Sequence, residues 1–136
     1  DLSKWDTSHV QDMSQMFSGA NSFDGDISSW DTSRCEDMHH MFEDAQLFNQ
    51  DIGKWQVGKA LKMRSMFRNA ESFDQDLRKW SVAKVAEQED IFKGASAFND
   101  KFECASKHDG PIVSCRDKSE KTEEKSNNNV FSKIFG

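Results

Sequence analysis

Tyrosine is absent from the 136 residues, although 11 Phe and 4 Trp are present. The skew has a cause, because most of those rings recur at fixed positions. A basic excess is also missing. The chain carries 18 Lys and Arg against 24 Asp and Glu, a net charge of −6, which argues against a nucleic-acid binder. No apolar run approaches the roughly 18 residues that cross a bilayer, so no transmembrane segment is expected. No signal peptide is visible, and Asp1 falls at the start of a repeat, so the native beginning is unseen. The phosphate-binding loop G-x-x-x-x-G-K-[ST], the nucleophile elbow G-x-S-x-G and the redox pair C-x-x-C are all lacking. His39-His40 has no zinc-ligand spacing, and no His recurs beside the Ser/Thr-rich turns to act as a base. The expectation is a protein that is not an enzyme and needs no cofactor or metal.

What is present is one unit written four times. The units are residues 1–25, 26–50, 51–75 and 76–100, aligned without insertion. Unit position 2 is Leu2, Ile27, Ile52 and Leu77. Position 5 is Trp5, Trp30, Trp55 and Trp80, and position 17 is Phe17, Phe42, Phe67 and Phe92. Position 20 is always Ala, and position 23 is Phe23, Phe48, Phe73 and Phe98. A period in the twenties predicts a solenoid. One unit holds too few large apolar side chains to offset the entropy of ordering its backbone. Stacked units cover one another's apolar faces, so stability is a sum over neighbours.

Within a unit, Asp-(Leu/Ile)-x-x-Trp reads as a short strand. Asp6-Thr7-Ser8 and Asp31-Thr32-Ser33 resemble helix N-caps. Val10, Met13, Met16, Phe17 and Ala20 follow at helical spacing, for about two turns of helix. Gly19 and Gly94 stand where a helix ends. The expected fold class is α/β, a right-handed, leucine-rich-repeat-like solenoid. It has four coils in residues 1–100, each with a short strand and a short helix, then a C-terminal cap at 101–117 and a polar linker with an apolar tip at 118–136.

The pattern W-D-T-S-x-V-x-x-M-x-x-M-F-x-x-A-x-x-F-(D/N)-x-D, as in Trp5–Asp26, resembles the BspA-type leucine-rich-repeat surface proteins. More narrowly, it is similar to their 25-residue mycoplasma lipoprotein-type repeat, a domain of unknown function. The resemblance covers residues 1 to about 100. It implies a surface or secreted adhesion or recognition scaffold of the kind found in bacteria and in algae such as diatoms. It carries over no catalytic residue. Gln56-Val57-Gly58 and Ser81-Val82-Ala83 depart from Asp-Thr-Ser, and Gln88 departs from Met at position 13. A decaying pattern is expected towards a capping end.

After Asp100 the repeat stops. Cys104 and Cys115 bracket the turn Asp109-Gly110-Pro111, which suggests a disulfide stapling a cap. Two free thiols in a reducing compartment are the other reading. Cys35 shares an apolar column with Val10, Ala60 and Val85 and reads as core. Residues Arg116–Asn129 are polar, and Val130, Phe131, Ile134 and Phe135 follow as a candidate docking tip or a tail without a role.

Two surface columns carry candidate chemistry. Asp24, Asn49, Asp74 and Asn99, with Asp26, Asp51 and Asp76, form an oxygen-rich file. Such a file binds calcium or caps backbone N–H groups at a corner; without a glycine-rich calcium pattern, capping is favoured. His9, Arg34, Lys59 and Lys84, beside Lys4, Lys54 and Lys79, form a basic stripe. It either balances the acids or meets an acidic polysaccharide or an acidic protein face. The functional expectation is a non-enzymatic protein-interaction or adhesion scaffold, extracellular or on the cell surface. The alternative is an accessory subunit of a larger assembly, in an organelle lumen such as the thylakoid, on the lumenal side of an algal photosynthetic membrane.

Overall fold

The computed structural model describes residues 1–120. Each Asp at unit position 1 folds its carboxylate onto the backbone two residues on. Asp1, Asp26, Asp51 and Asp76 accept the N–H of Ser3, Ser28, Gly53 and Arg78 at 2.9–3.0 Å. This local side-chain bond competes with strand pairing. The chain accordingly turns here, where a strand is expected. Leu2–Lys4 forms a 3-10 turn, and Trp30, Trp55 and Trp80 close the equivalent turns on the carbonyls of Ile27, Ile52 and Leu77. Parallel pairing lies instead at unit position 12, through the bridges Asp12–Asp37, Asp37–Lys62 and Lys62–Glu87.

The expected helices are replaced by turns as well. Gln15, His40, Ser65 and Asp90 have φ of 54–60°. Gly19, Asp44, Asn69 and Gly94 are also left-handed, with φ of 57–74°. Two left-handed residues within each segment end any right-handed helix. A non-glycine residue in this conformation costs roughly 1–2 kcal/mol. The return is a hydrogen bond to the next unit: Gln15, His40 and Ser65 donate N–H to the carbonyls of His39, Arg64 and Glu89 at 2.9–3.0 Å. Met13, Phe17 and Gly19 do the same to Asp37, Met41 and Glu43, and the row repeats between later units. The alternate N–H groups of Met16, Ser18 and Ala20 bond three residues back. Backbone donors are therefore shared between closing the turn and joining the units.

The apolar columns stand behind this row. Phe17, Phe42, Phe67 and Phe92 stack in file with centroids 5.6–5.9 Å apart. Phe23, Phe48, Phe73 and Phe98 form a second file at 5.8–6.3 Å. Met38, Met41, Phe42, Ala45 and Phe48 are fully buried, as are Met63, Met66, Phe67, Ala70 and Phe73. Offset-stacked ring pairs add about 0.5–1.5 kcal/mol each beyond their area.

Beyond the fourth unit, helix α1 (Ser96–Lys101) leads to β1 (Phe102–Glu103), which pairs antiparallel with β2 (Arg116–Asp117). Between the strands, Cys104 and Cys115 form a disulfide. The enclosed loop lies over the end of the stack: His108 O accepts Phe92 N–H at 2.9 Å and the Asp109 carboxylate accepts Asp90 N–H at 2.7 Å. Phe102 and Ile112 are buried beneath it.

Candidate binding groove

Position 5 fixes which way position 4 points. Trp30, Trp55 and Trp80 are buried, and each indole N–H donates to the carbonyl at position 2 of the preceding unit at 2.9–3.0 Å. The preceding side chains Ser29, Lys54 and Lys79 are left exposed. At the next corner, Asp6 and Asp31 accept the N–H of Ser8 and Ser33 at 3.1 and 3.0 Å. Cys35 and Ala60 then enter the core, so the neighbouring Arg34 and Lys59 face solvent. Two exposed cationic columns thus flank one corner.

They converge around the third unit. A groove of about 730 Å³ is lined by Arg34, Lys54, Lys59 and Lys79, with Ser33, Gly53, Gln56, Gly58, Ser81 and the edge of Trp55 among its walls. Lys54 also lines two smaller hollows alongside, of about 310 and 200 Å³. The other members of the stripe, Lys4, His9 and Lys84, are exposed but stand outside the groove.

Local chemistry changes along the stripe. Asp6 lies near His9, and Asp31 near Arg34. The Ser8 and Ser33 hydroxyls hold these carboxyls below their ordinary value, with a smaller lowering contribution from the neighbouring His9 and Arg34 side chains. In the third and fourth units the same corner position is Gln56 and Ser81. Lys59 and Lys84 therefore have no acid at that place. Gly58 replaces the Ser of earlier units, and a Cβ there would meet nothing within 4 Å. The departures from the repeat pattern are therefore also a local removal of negative charge and bulk. That signal was visible in Gln56-Val57-Gly58, but it reads equally as decay near a capping end.

The acidic file is occupied by the protein itself. Asn49 N–H donates to Asp24 and Asp74 N–H to Asn49, at 2.9 and 3.0 Å, while the Asn49 amide donates to Asp74 at 3.1 Å. Gln50 and Gln75 reach back to the same side chains. His39 pairs with Asp37 at 2.5 Å and His40 with Glu43. Among the described residues, no group of three His, Cys, Asp or Glu side chains is placed to hold a metal ion. No described helix is long and apolar enough to cross a membrane.

Cys35 is fully buried, and burial pushes its thiol up to about 11, which keeps it an unreactive thiol. The tip residues Val130, Phe131, Ile134 and Phe135 lie outside the described residues.

Searches of curated proteins and of solved structures return no match. A family model does match, over residues 1–105, which takes in all four units and the first residues of the cap. The chain belongs to the family described as "Mycoplasma protein of unknown function, DUF285".

Proposed function

We propose that the protein is a non-enzymatic interaction scaffold. On this reading, a right-handed, leucine-rich-repeat-like solenoid of the BspA type presents the groove around Lys54 to an acidic partner. One observation carries the reading. Arg34, Lys54, Lys59 and Lys79 surround a single hollow, next to corner positions where Asp gives way to Gln56 and Ser81. Like charges gathered around a concavity focus a positive potential outward. The partner is an acidic polysaccharide or an acidic protein face, in a secreted or cell-surface setting. The disulfide supports an oxidising compartment.

Binding to an array of carboxylated, sulfated and neutral glycans, with polyglutamate alongside, tests this reading. Acidic members bind at low salt and release at high salt, as exposed charges are screened. Lys54→Glu with Lys59→Glu abolishes that binding and leaves the fold intact. Equal binding of neutral glycans, or indifference to the double charge reversal, removes the groove from the account.

A second reading is an accessory subunit of a larger assembly. An organelle lumen, such as that of an algal thylakoid, belongs with this alternative. Co-migration of native material with a large complex would select it.

A further inference from the structure

The units do not stand at one spacing across the stack. At the bridges Asp37–Lys62 and Lys62–Glu87 the backbones pair as parallel strands do, about 4.8 Å apart. The Phe17 file opens to 5.6–5.9 Å. At unit position 5 the indoles of Trp55 and Trp80 are parallel to within 2° and stand 6.4 Å apart, and those of Trp5 and Trp30 stand 6.2 Å apart. Equivalent rings held parallel report the local pitch of the repeat. The units therefore fan apart towards the corner that carries the groove.

The cations of the groove follow that pitch. Arg34 belongs to the second unit, Lys54 and Lys59 to the third, and Lys79 to the fourth. Each step along the hollow thus has a positive side chain, at a pitch close to the 6.4 Å between Trp55 and Trp80. All four cations are exposed. Among the described residues, ion pairs form at His39, His40 and Arg78, so no carboxylate is paired with Lys54, Lys59 or Lys79. An extended peptide rises about 3.3–3.4 Å per residue and turns alternate side chains to one face, so acids two residues apart stand about 6.6–6.8 Å apart. A linear polyuronate carries one carboxylate per ring. Its step is shorter than this between adjacent rings and longer between alternate ones.

We propose that the groove takes an extended acidic segment of a protein partner, with Asp or Glu at every second residue, which rests on the groove being the binding face. The segment runs along the stack. Its first acid meets Arg34, the second lies between Lys54 and Lys59, and the third meets Lys79. Gly53 and Gly58 line the hollow without side chains. The residues between the acids face away from the groove.

Fluorescence anisotropy at low salt tests this with two labelled peptides of one composition, Ser-Glu-Ser-Glu-Ser-Glu-Ser and Ser-Ser-Glu-Glu-Glu-Ser-Ser, and with a labelled trigalacturonate. The alternating peptide binds at least about fivefold more tightly than the block peptide, the effect of losing one exposed ion pair. It also binds more tightly than the trigalacturonate. Lys54→Gln with Lys79→Gln erases the difference between the peptides. Lys4→Gln with Lys84→Gln, outside the groove, preserves it. Equal affinities of the two peptides for the unaltered chain overturn the proposal and leave the groove as a general anion site. Tighter binding of the trigalacturonate assigns the groove to a polysaccharide and also overturns it, as does a peptide preference that survives the loss of Lys54 and Lys79. Binding of none of the three removes the groove reading together with the proposal.

Discussion

The first and fourth units share one pattern and have different surroundings. At the first unit, Phe17 and Phe23 stack at 4.1 Å with one outer side uncovered. At the fourth, Phe92 and Phe98 stack at 3.9 Å, and the next ring, Phe102, packs 4.7 Å from Phe98. Backbone groups follow the rings: carbonyls of the first unit lack described partners, whereas Asp90 and Phe92 hand their N–H groups to the disulfide-closed loop. The comparison teaches that the repeat supplies the core, while the outer face of the fourth unit is closed by residues outside the repeat. It also makes the contribution of each position depend on its depth in the stack rather than on its identity.

The largest expected contrast comes from one substitution made at two depths. Phe67→Ala, with rings on both sides, should cost about 3–5 kcal/mol, the usual range for a fully buried Phe. Phe17→Ala should cost less than half as much. Equal losses in urea unfolding would mean that depth does not set the contribution. Next, Cys104→Ser with Cys115→Ser releases the loop over the fourth unit. A loss of about 2–3 kcal/mol is expected for a closure of this length, together with faster hydrogen exchange at Asp90 and Phe92 and no change at Met38 or Met63. Exchange that rises uniformly would show that the cap is not a local finish.

A smaller and opposite effect is expected at Gln88. It stands where earlier units have Met13, Met38 and Met63, and its Oε1 is buried without a described partner, as is His108 Nδ1. Leaving such a group unpaired costs roughly 1–3 kcal/mol. Gln88→Met should therefore raise the melting temperature, by a gain of about 1 kcal/mol; a fall would show that the amide is paired after all.

The smallest effect is a pH dependence centred on the second unit. The carboxyls of Asp26 and Asp31 sit below their ordinary 3.8, held there first by the Ser28 and Ser33 hydroxyls and then by the N–H groups of the same residues. A depressed folded-state value contributes stability above the ordinary value, and that contribution is lost as pH falls through the folded one. Melting temperature should be flat from neutrality to about pH 5 and decline below the ordinary Asp range. Ser28→Ala and Ser33→Ala should flatten the decline.

The columns were legible in the sequence because burial repeats with the period. Trp30, Phe42, Ala45 and Phe48 are core residues, as their spacing from Trp55, Phe67, Ala70 and Phe73 requires. The backbone was less legible. At unit position 15 the chain is left-handed through Gln, His, Ser and Asp in turn. No glycine marks the site, so the 3.6-residue apolar spacing reads as helix. The Asp that opens each unit was read as the start of a strand, yet its carboxylate closes a turn. At position 15, hydrogen bonds between units outweigh local preference and are not encoded in a single unit; at position 1 the side-chain bond is local, from each Asp to the residue two on. The groove was half legible. The basic columns stood out, but their meeting around one hollow beside the uncharged Gln56 and Ser81 is a matter of three-dimensional placement.

The rows of N–H···O=C bonds between units also set how the chain responds to force. They run along the direction in which the units pile up, so tension between the two ends pulls each row open instead of sliding it. A terminal coil then peels away before its neighbour feels the load, and an optical trap would record short steps of about 25 residues of released chain, matching the repeat. The closed loop after the fourth unit ties down Asp90 and Phe92, so that side of the stack resists the peeling.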